Sequence, residues 1–347
     1  MAPDQLDVVR PGRIGAIALL LVTAALLVWG LVAGSQVPAD TFTDDESTSN
    51  TVLYETIAQR VADGDDYYTA AIEEQVARDF PTSPAATVRV PTVALIQATL
   101  GPDGAYAALA VLWVVALVLV LRRLGSLTAT RNEMLGAVVL LVVGAVVSFV
   151  PTSVWFHEAW ALGIILISLA LADGRRWWPS VVVGCLAPFV RELALLYVGV
   201  RFLMAVRRHR REAIAWAVGG ALFVVFYLWH AAQVAGHQVA SPVDSPGWLD
   251  LSGWTFIVDS VHSTTLLAVL PHAVAAVVTP FALLGWAFAR GELGRLAGAT
   301  VLAFVVVFCV IGQSGNIYWG LLYAPLLLLG LAFAPRGLST LARTVRA

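Results

Sequence analysis

The sequence predicts an all-α, polytopic integral membrane protein with about ten membrane segments, and three observations carry that expectation. Of the 347 residues, 59% are hydrophobic and only 13% charged. That is more apolar surface than a soluble chain of this length can bury, so lipid is the expected solvent. Apolar runs recur along the whole chain, near 14–34, 104–121, 134–150, 157–172, 178–206, 212–233, 264–289, 296–312 and 316–334. Finally, the polar residues between these runs sort by sign. All 21 basic residues are arginine, the residue type that concentrates in short cytoplasmic loops.

Taken in order, residues 1–13 form a cytoplasmic N-terminus with Arg10 and Arg13, and Ile14 to Ala33 an uncleaved first helix. The first outer loop, 35–103, begins with the acidic linker ADTFTDDESTSN and continues as VLYETIAQRVADGDDYY. Leu53, Ile57 and Val61 recur at four-residue spacing, which puts them on one face of a helix that Gly64 stops. A second helix is expected from Tyr67 to Arg78, ending before Pro81, then an extended PTSPAATVRVPT and a short apolar helix over 92–100 that ends at GPDG. These pieces are expected to lie on the membrane surface as amphipathic helices.

The 178–206 run is broken by Pro188, Arg191 and Glu192. Read as two short helices turning back at Arg191, it leaves both termini cytoplasmic and puts sixteen of the 21 arginines inside. A single crossing would export the last three arginine clusters. In one straight helix Arg191 and Glu192 would also sit near mid-membrane, at about 2.5–3.5 kcal/mol each. At the tip of a short hairpin they face an outward cavity instead. A second outer loop, 234–263, offers Trp248 and Trp254 as interfacial anchors, and residues 335–347 form a cytoplasmic C-terminus. Two short outer turns, PTSVWFHEAW and GQSGNIYWG, are polar. Seventeen of the 23 acids fall on the outer side. The cavity is therefore expected to be lined by acids of the first loop, His157–Glu158, Arg191–Glu192 and Asn316. Cys185 and Cys309 lie in apolar runs as small core residues. No cysteine–histidine spacing suggests zinc, and no glycine-rich phosphate loop follows a strand.

This arrangement resembles the GT-C superfamily of membrane glycosyltransferases, mannosyltransferase- and aminoarabinose-transferase-like enzymes that use polyprenyl-phosphate sugars. The cadence of Tyr54, Ile57, Ala58, Gly64 and Asp65 is similar to that family's first loop, as are the hairpin with Arg191 at its tip and the Arg89–Pro91 step into a surface helix. Asn50 and Thr51 stand where the family carries its acidic pair. The resemblance implies a multi-pass protein of a bacterial-type cell membrane, transferring sugar from a polyprenyl-phosphate donor to a glycan or lipid acceptor on the outer face. It implies no metal or other cofactor, and no nucleic-acid partner is expected.

Such a transfer needs a carboxylate to take the acceptor hydroxyl's proton and a cation to hold the phosphate leaving group. Asp45 is the leading candidate base because it precedes the helix-bearing segment, with Asp44 and Asp66 behind it. Arg191 is the candidate phosphate ligand, with the alternative of a structural ion pair to Glu192 or Glu158. His157 would relay a proton or cap a helix, and Tyr67 and Tyr68 would stack on a sugar face or anchor at the membrane surface. Glu192, Glu158, Arg89 and Asn316 complete the expected binding set. A non-catalytic protein of the same fold, a lipid-linked sugar translocator or an assembly partner, is the alternative. An ion-coupled transporter is disfavoured, because apart from Arg191 and Glu192 the span interiors are nearly free of charge.

Overall fold

The computed structural model describes residues 11–35, 50–174, 176–239, 245, 247 and 251–347. All regular structure among them is helical: α1 (Arg13–Ala33), α2 (Asn50–Ala62), α3 (Tyr67–Ala77), α4 (Thr92–Leu127), α5 (Arg131–Ala145), α6 (His157–Ala170), α7 (Trp178–Gly184), α8 (Leu195–Val206), α9 (Arg210–His237), α10 (Gly253–Ser263), α11 (His272–Trp286), α12 (Gly291–Ile311), α13 (Ala324–Leu329) and α14 (Ala334–Arg346). Six helical stretches are long and apolar enough to cross a membrane: Arg13–Ala33, Ala85–Leu127, Arg131–Phe149, Arg210–His237, Gly291–Ile311 and Ala324–Arg346. Their outward faces keep large apolar side chains exposed, among them Leu21, Val139 and Val225. For a chain in water that would be a cost; against lipid tails it is the expected surface.

The loops gather at two ends of the helices. At one end Arg336 bonds Glu133 (2.9 Å) and the Phe288 carbonyl (2.7 Å), Arg123 bonds the Ala172 carbonyl (3.1 Å), and Arg208 lies 3.9 Å from Glu292. The start of α1 belongs here too, with Ala16 packed among Leu284, Phe288 and Leu341. At the other end lie α2, α3, the 80–91 segment, the start of α6 and the 313–319 turn.

The 178–206 run does turn back. Arg201 Nη1 donates to Ser180 Oγ at 2.8 Å, and Tyr197 and Ser168 share a hydroxyl bond of 2.7 Å. In one straight helix residues 180 and 201 would stand about 31 Å apart. The reversal falls midway, where Arg191 is extended between two short 3-10 turns, Ala187–Phe189 and Glu192–Ala194. Close packing locks α7 in place: a Cβ on Gly184 would sit 2.5 Å from the Trp216 ring and 2.6 Å from Ser168 Oγ.

The first loop folds as expected in its parts but not in its setting. Leu53 and Ile57 are buried, α3 ends at Ala77, and α4 is broken at Gly101 (φ 69°), one residue before Pro102. Gly101 supplies the left-handed backbone that separates a short first piece from the long apolar one. However, the apolar faces of α2 and α3 are covered by protein. They share a small core with Val88, Ala94 and Val234 and so pack against α4 and α9. The second expected outer loop is corrected further. Its residues 253–263 form α10, buried from Gly253 to Val261. Trp254 is therefore a core side chain, 2% exposed, rather than an interfacial anchor; Trp248 lies outside the described residues. The 316–334 run is not one regular helix: a 3-10 stretch, Ser314–Leu322, precedes α13, and a second, Gly330–Phe333, links α13 to α14.

Candidate functional site

A cavity of about 210 Å³ lies between the α2–α3 pair, the 80–91 segment, the starts of α4 and α6, and the 313–319 turn. Each wall residue is placed by local sequence. Tyr67 opens α3 because Asp66 caps that helix, accepting from the amides of Tyr68 and Thr69 at 3.0 Å. His157 is the first residue of α6, held after the Pro151–Trp155 turn, and is not its cap. Gln97 stands on the first piece of α4, pinned by donation to the Val154 carbonyl at 2.8 Å.

Arg89 is the cation on the cavity wall, and two of its donors go to phenols. Nε donates to the Tyr54 hydroxyl (3.2 Å), Nη2 to the Tyr318 hydroxyl (2.8 Å), and Nη1 reaches the Ala86 carbonyl (3.5 Å). The Tyr67 hydroxyl donates to the Arg89 carbonyl at 2.5 Å. Tyr318 passes its own proton toward Asn316 Oδ1 at 3.2 Å. Burial pushes the phenols of Tyr54 and Tyr67 above the ordinary tyrosine range, so both stay protonated.

Arg191 stands behind this wall and does not line the cavity. It is fully buried; Nε donates to Glu158 Oε1 at 2.6 Å and Nη1 to Glu192 Oε1. Its guanidinium centre lies 5.6 Å from the Trp319 ring centre, a cation–π contact with a cavity-wall side chain. Glu192 Oε1 also approaches Arg89 Nη1 at 3.7 Å. Two arginines and two glutamates thus form one alternating cluster whose formal charges cancel. Within it Arg191 Nη2 and Glu192 Oε2 are buried without a hydrogen-bond partner. Of the two readings of Arg191, the geometry supplies the ion pair.

The remaining expected residues divide. Tyr67, Arg89, His157 and Asn316 line the cavity; Glu158 and Glu192 belong to the cluster behind it. Tyr68 does not face the cavity: its hydroxyl meets His230 Nδ1 at 3.1 Å, and burial raises its pKa to about 12. His230 Nε2 faces the Val88 carbonyl at 3.1 Å, which can only accept, so Nε2 carries the proton and Nδ1 accepts from Tyr68. Tyr68 is a clamp between α3 and α9. Asp66 is a helix cap beside His237 (3.4 Å), not a cavity acid. Asp66→Ala is therefore expected to lower stability by about 1 kcal/mol while Asp66→Asn preserves it; matched unfolding curves of the two variants check this. Asp44 and Asp45 lie outside the described residues.

No carboxylate lines the cavity among the described residues, and Asn50 is part of its wall. No group of three or more histidine, cysteine or acidic side chains among them could hold a metal ion. Sequence reasoning missed Gln75, Gln97, Tyr318 and Trp319 as wall residues. Gln97 carried a usable signal, a lone polar side chain in the apolar stretch VALIQATL. Gln75 carried none, since a glutamine on a loop helix reads as solvated. Comparison with known proteins adds no relative: no family model, no curated protein and no solved structure matches the chain.

Proposed function

We propose that the chain is a GT-C-like glycosyltransferase of a bacterial-type cell membrane, taking sugar from a polyprenyl-phosphate donor to a glycan or lipid acceptor. The observation that carries this reading is the cavity roofed by the helices of the first long loop and backed by the tip of a short hairpin. In this reading both termini are cytoplasmic and the cavity opens outward, with the arginine-rich end inside. Ten segments then cross or enter the bilayer: α1, α4, α5, α6, α7, α8, α9, α11, α12 and the α13 stretch.

The sugar ring sits among Tyr54, Tyr67 and Trp319, and the Arg191 cluster positions that wall rather than touching phosphate. The carboxylate base comes from the acid-rich segment that joins α2 at Asn50. Five residues of chain reach at most about 17 Å, enough for Asp45 to meet an acceptor at the cavity mouth. The test is turnover of a radiolabelled polyprenyl-phosphate sugar by the purified full chain in nanodiscs. Wild type is expected to release the sugar from its carrier, and a combined Asp44→Asn, Asp45→Asn variant to lose at least about 100-fold of that rate, the scale of general base catalysis. Unchanged turnover in that variant rejects the base assignment. The amide at Asn50 and the lack of a carboxylate on the wall among the described residues favour a second reading, a non-catalytic protein that binds the lipid-linked sugar; saturable binding without turnover selects it.

A further inference from the structure

Two glutamines of the cavity wall have their orientation forced. Gln97, 3% exposed, turns its Nε2 to the Val154 carbonyl, and Gln75, 5% exposed, turns its Nε2 to the Pro81 carbonyl at 2.7 Å. A backbone carbonyl only accepts, so the nitrogen must face it and Oε1 must face away. Neither Oε1 has a protein donor among the bonds these side chains make. The Tyr67 hydroxyl, having given its proton to the Arg89 carbonyl, keeps acceptor capacity as well. The Tyr54 hydroxyl accepts from Arg89 and retains a proton to give. The wall thus offers uncharged acceptors, a phenolic donor at Tyr54, and the Tyr318 ring beside them.

Among the described residues the wall carries one charge, Arg89, and that charge is countered from behind. Arg89 is engaged by two phenols and lies 3.7 Å from Glu192, and the cluster behind it cancels. A carboxylate or ammonium group placed here would lose its hydration without gaining a free counter-charge, which costs several kcal/mol. Hydroxyl protons, in contrast, meet the glutamine oxygens. We infer that the cavity holds one uncharged, hydroxyl-rich ring, a neutral sugar, and rejects sugars that carry a carboxylate or an amine. At about 210 Å³ it is smaller than the usual 300–1,000 Å³ ligand pocket, which suits a single ring rather than an oligosaccharide. The inference rests on the proposed function only in taking that ring to be the lipid-linked one.

The test is ligand binding to the purified full chain in nanodiscs, followed by saturation-transfer NMR. The probes are methyl glucoside, methyl glucuronide and protonated methyl glucosaminide. The neutral glycoside is expected to bind at least about 10-fold more tightly than either charged one, a difference of 1.4 kcal/mol. Tyr54→Phe, which keeps the ring and removes both the donor and the acceptor of Arg89 Nε, is expected to weaken that binding about 5-fold, with a lowered melting temperature but a cooperative unfolding transition. Equal or tighter binding of a charged glycoside overturns the inference, as does absence of binding by all three to folded protein. Neutral-selective binding without turnover of a polyprenyl-phosphate sugar supports the inference and removes the glycosyltransferase reading. Turnover of a charged lipid-linked sugar does the reverse.

Discussion

Arg191→Met is expected to destabilise the protein by about 3–5 kcal/mol, because it strands the buried Glu158 carboxylate and takes the nearer cation from Glu192. Glu158 is 1% exposed and holds Nε at 2.6 Å, so it cannot regain water when the cation is removed, while Glu192, which holds Nη1, keeps only Arg89 at 3.7 Å. Removing the charge from both sides should recover much of the loss. The double variant Arg191→Met, Glu158→Met is expected to be clearly more stable than Arg191→Met alone, since it removes one charge of each sign, leaves Arg89 beside Glu192, and puts apolar groups in place of a buried pair. Denaturant unfolding of detergent-solubilised protein measures both variants. A single variant as stable as wild type would remove the ion cluster from the account of the hairpin tip. The comparison cluster is Arg60, whose side chain reaches Asp65, Glu73 and Glu74 on the surface of the first loop. There solvent screens the same kind of contacts, and Arg60→Ala should cost no more than about 1 kcal/mol.

These two arginines also show which parts of the molecule were legible in the sequence. The reversal at 191 could be read because a charged pair in an apolar run has few tolerable places, and the arginine distribution chose among them. What hydropathy does not report is the neighbour that covers an apolar face. Leu53 and Ile57 were legible as one face, but lipid and protein satisfy such a face equally, and only the fold supplies Val88, Ala94 and Val234 as the cover. Trp254 was misread on the same ground, as an aromatic that fits an interface equally fits a core. At the site, Arg89 and Tyr67 were identified while their partners were not. Tyr318 lies 229 residues from Arg89, and no local pattern announces a bond across that separation. Arg191 was legible both as a phosphate ligand and as an ion pair to Glu192 or Glu158, and the fold adds that it pairs with both acids while buried.

The second large effect is expected at a place with no charge at all. On α11, a Cβ added to Gly285 would sit 1.9 Å from the Gly330 carbonyl oxygen and 3.0 Å from the Ala334 amide nitrogen. The contact is reciprocal, since a Cβ on Gly330 would lie 2.2 Å from the Ala282 carbonyl oxygen and 2.5 Å from the Trp286 ring. Both obstacles include backbone, so no rotamer change can relieve them; the two segments must separate. Small residues at such crossings are how helices in lipid gain close packing without a hydrophobic driving force. Separation would also break the donation from Trp286 Nε1 to the Leu326 and Leu327 carbonyls, at 3.1 and 3.2 Å, where the chain leaves regular helix. Gly285→Ala and Gly330→Ala should therefore each cost about 3 kcal/mol or more, the upper end of overpacking penalties. Gly199→Ala is the matched control. It lies within α8 with nothing inside 4 Å of the added carbon, so it should be neutral or stabilise by up to about 1 kcal/mol. The effect should also reach the cavity. The segment that Gly330 anchors carries Tyr318 and Trp319 in its preceding turn, so displacing it moves the hydroxyl that holds Arg89 and the ring that covers Arg191. Any Gly330→Ala protein that still folds is expected to lose sugar binding, whereas Gly199→Ala should bind as wild type does. Equal binding by both would mean that the C-terminal helices set stability without setting the cavity wall.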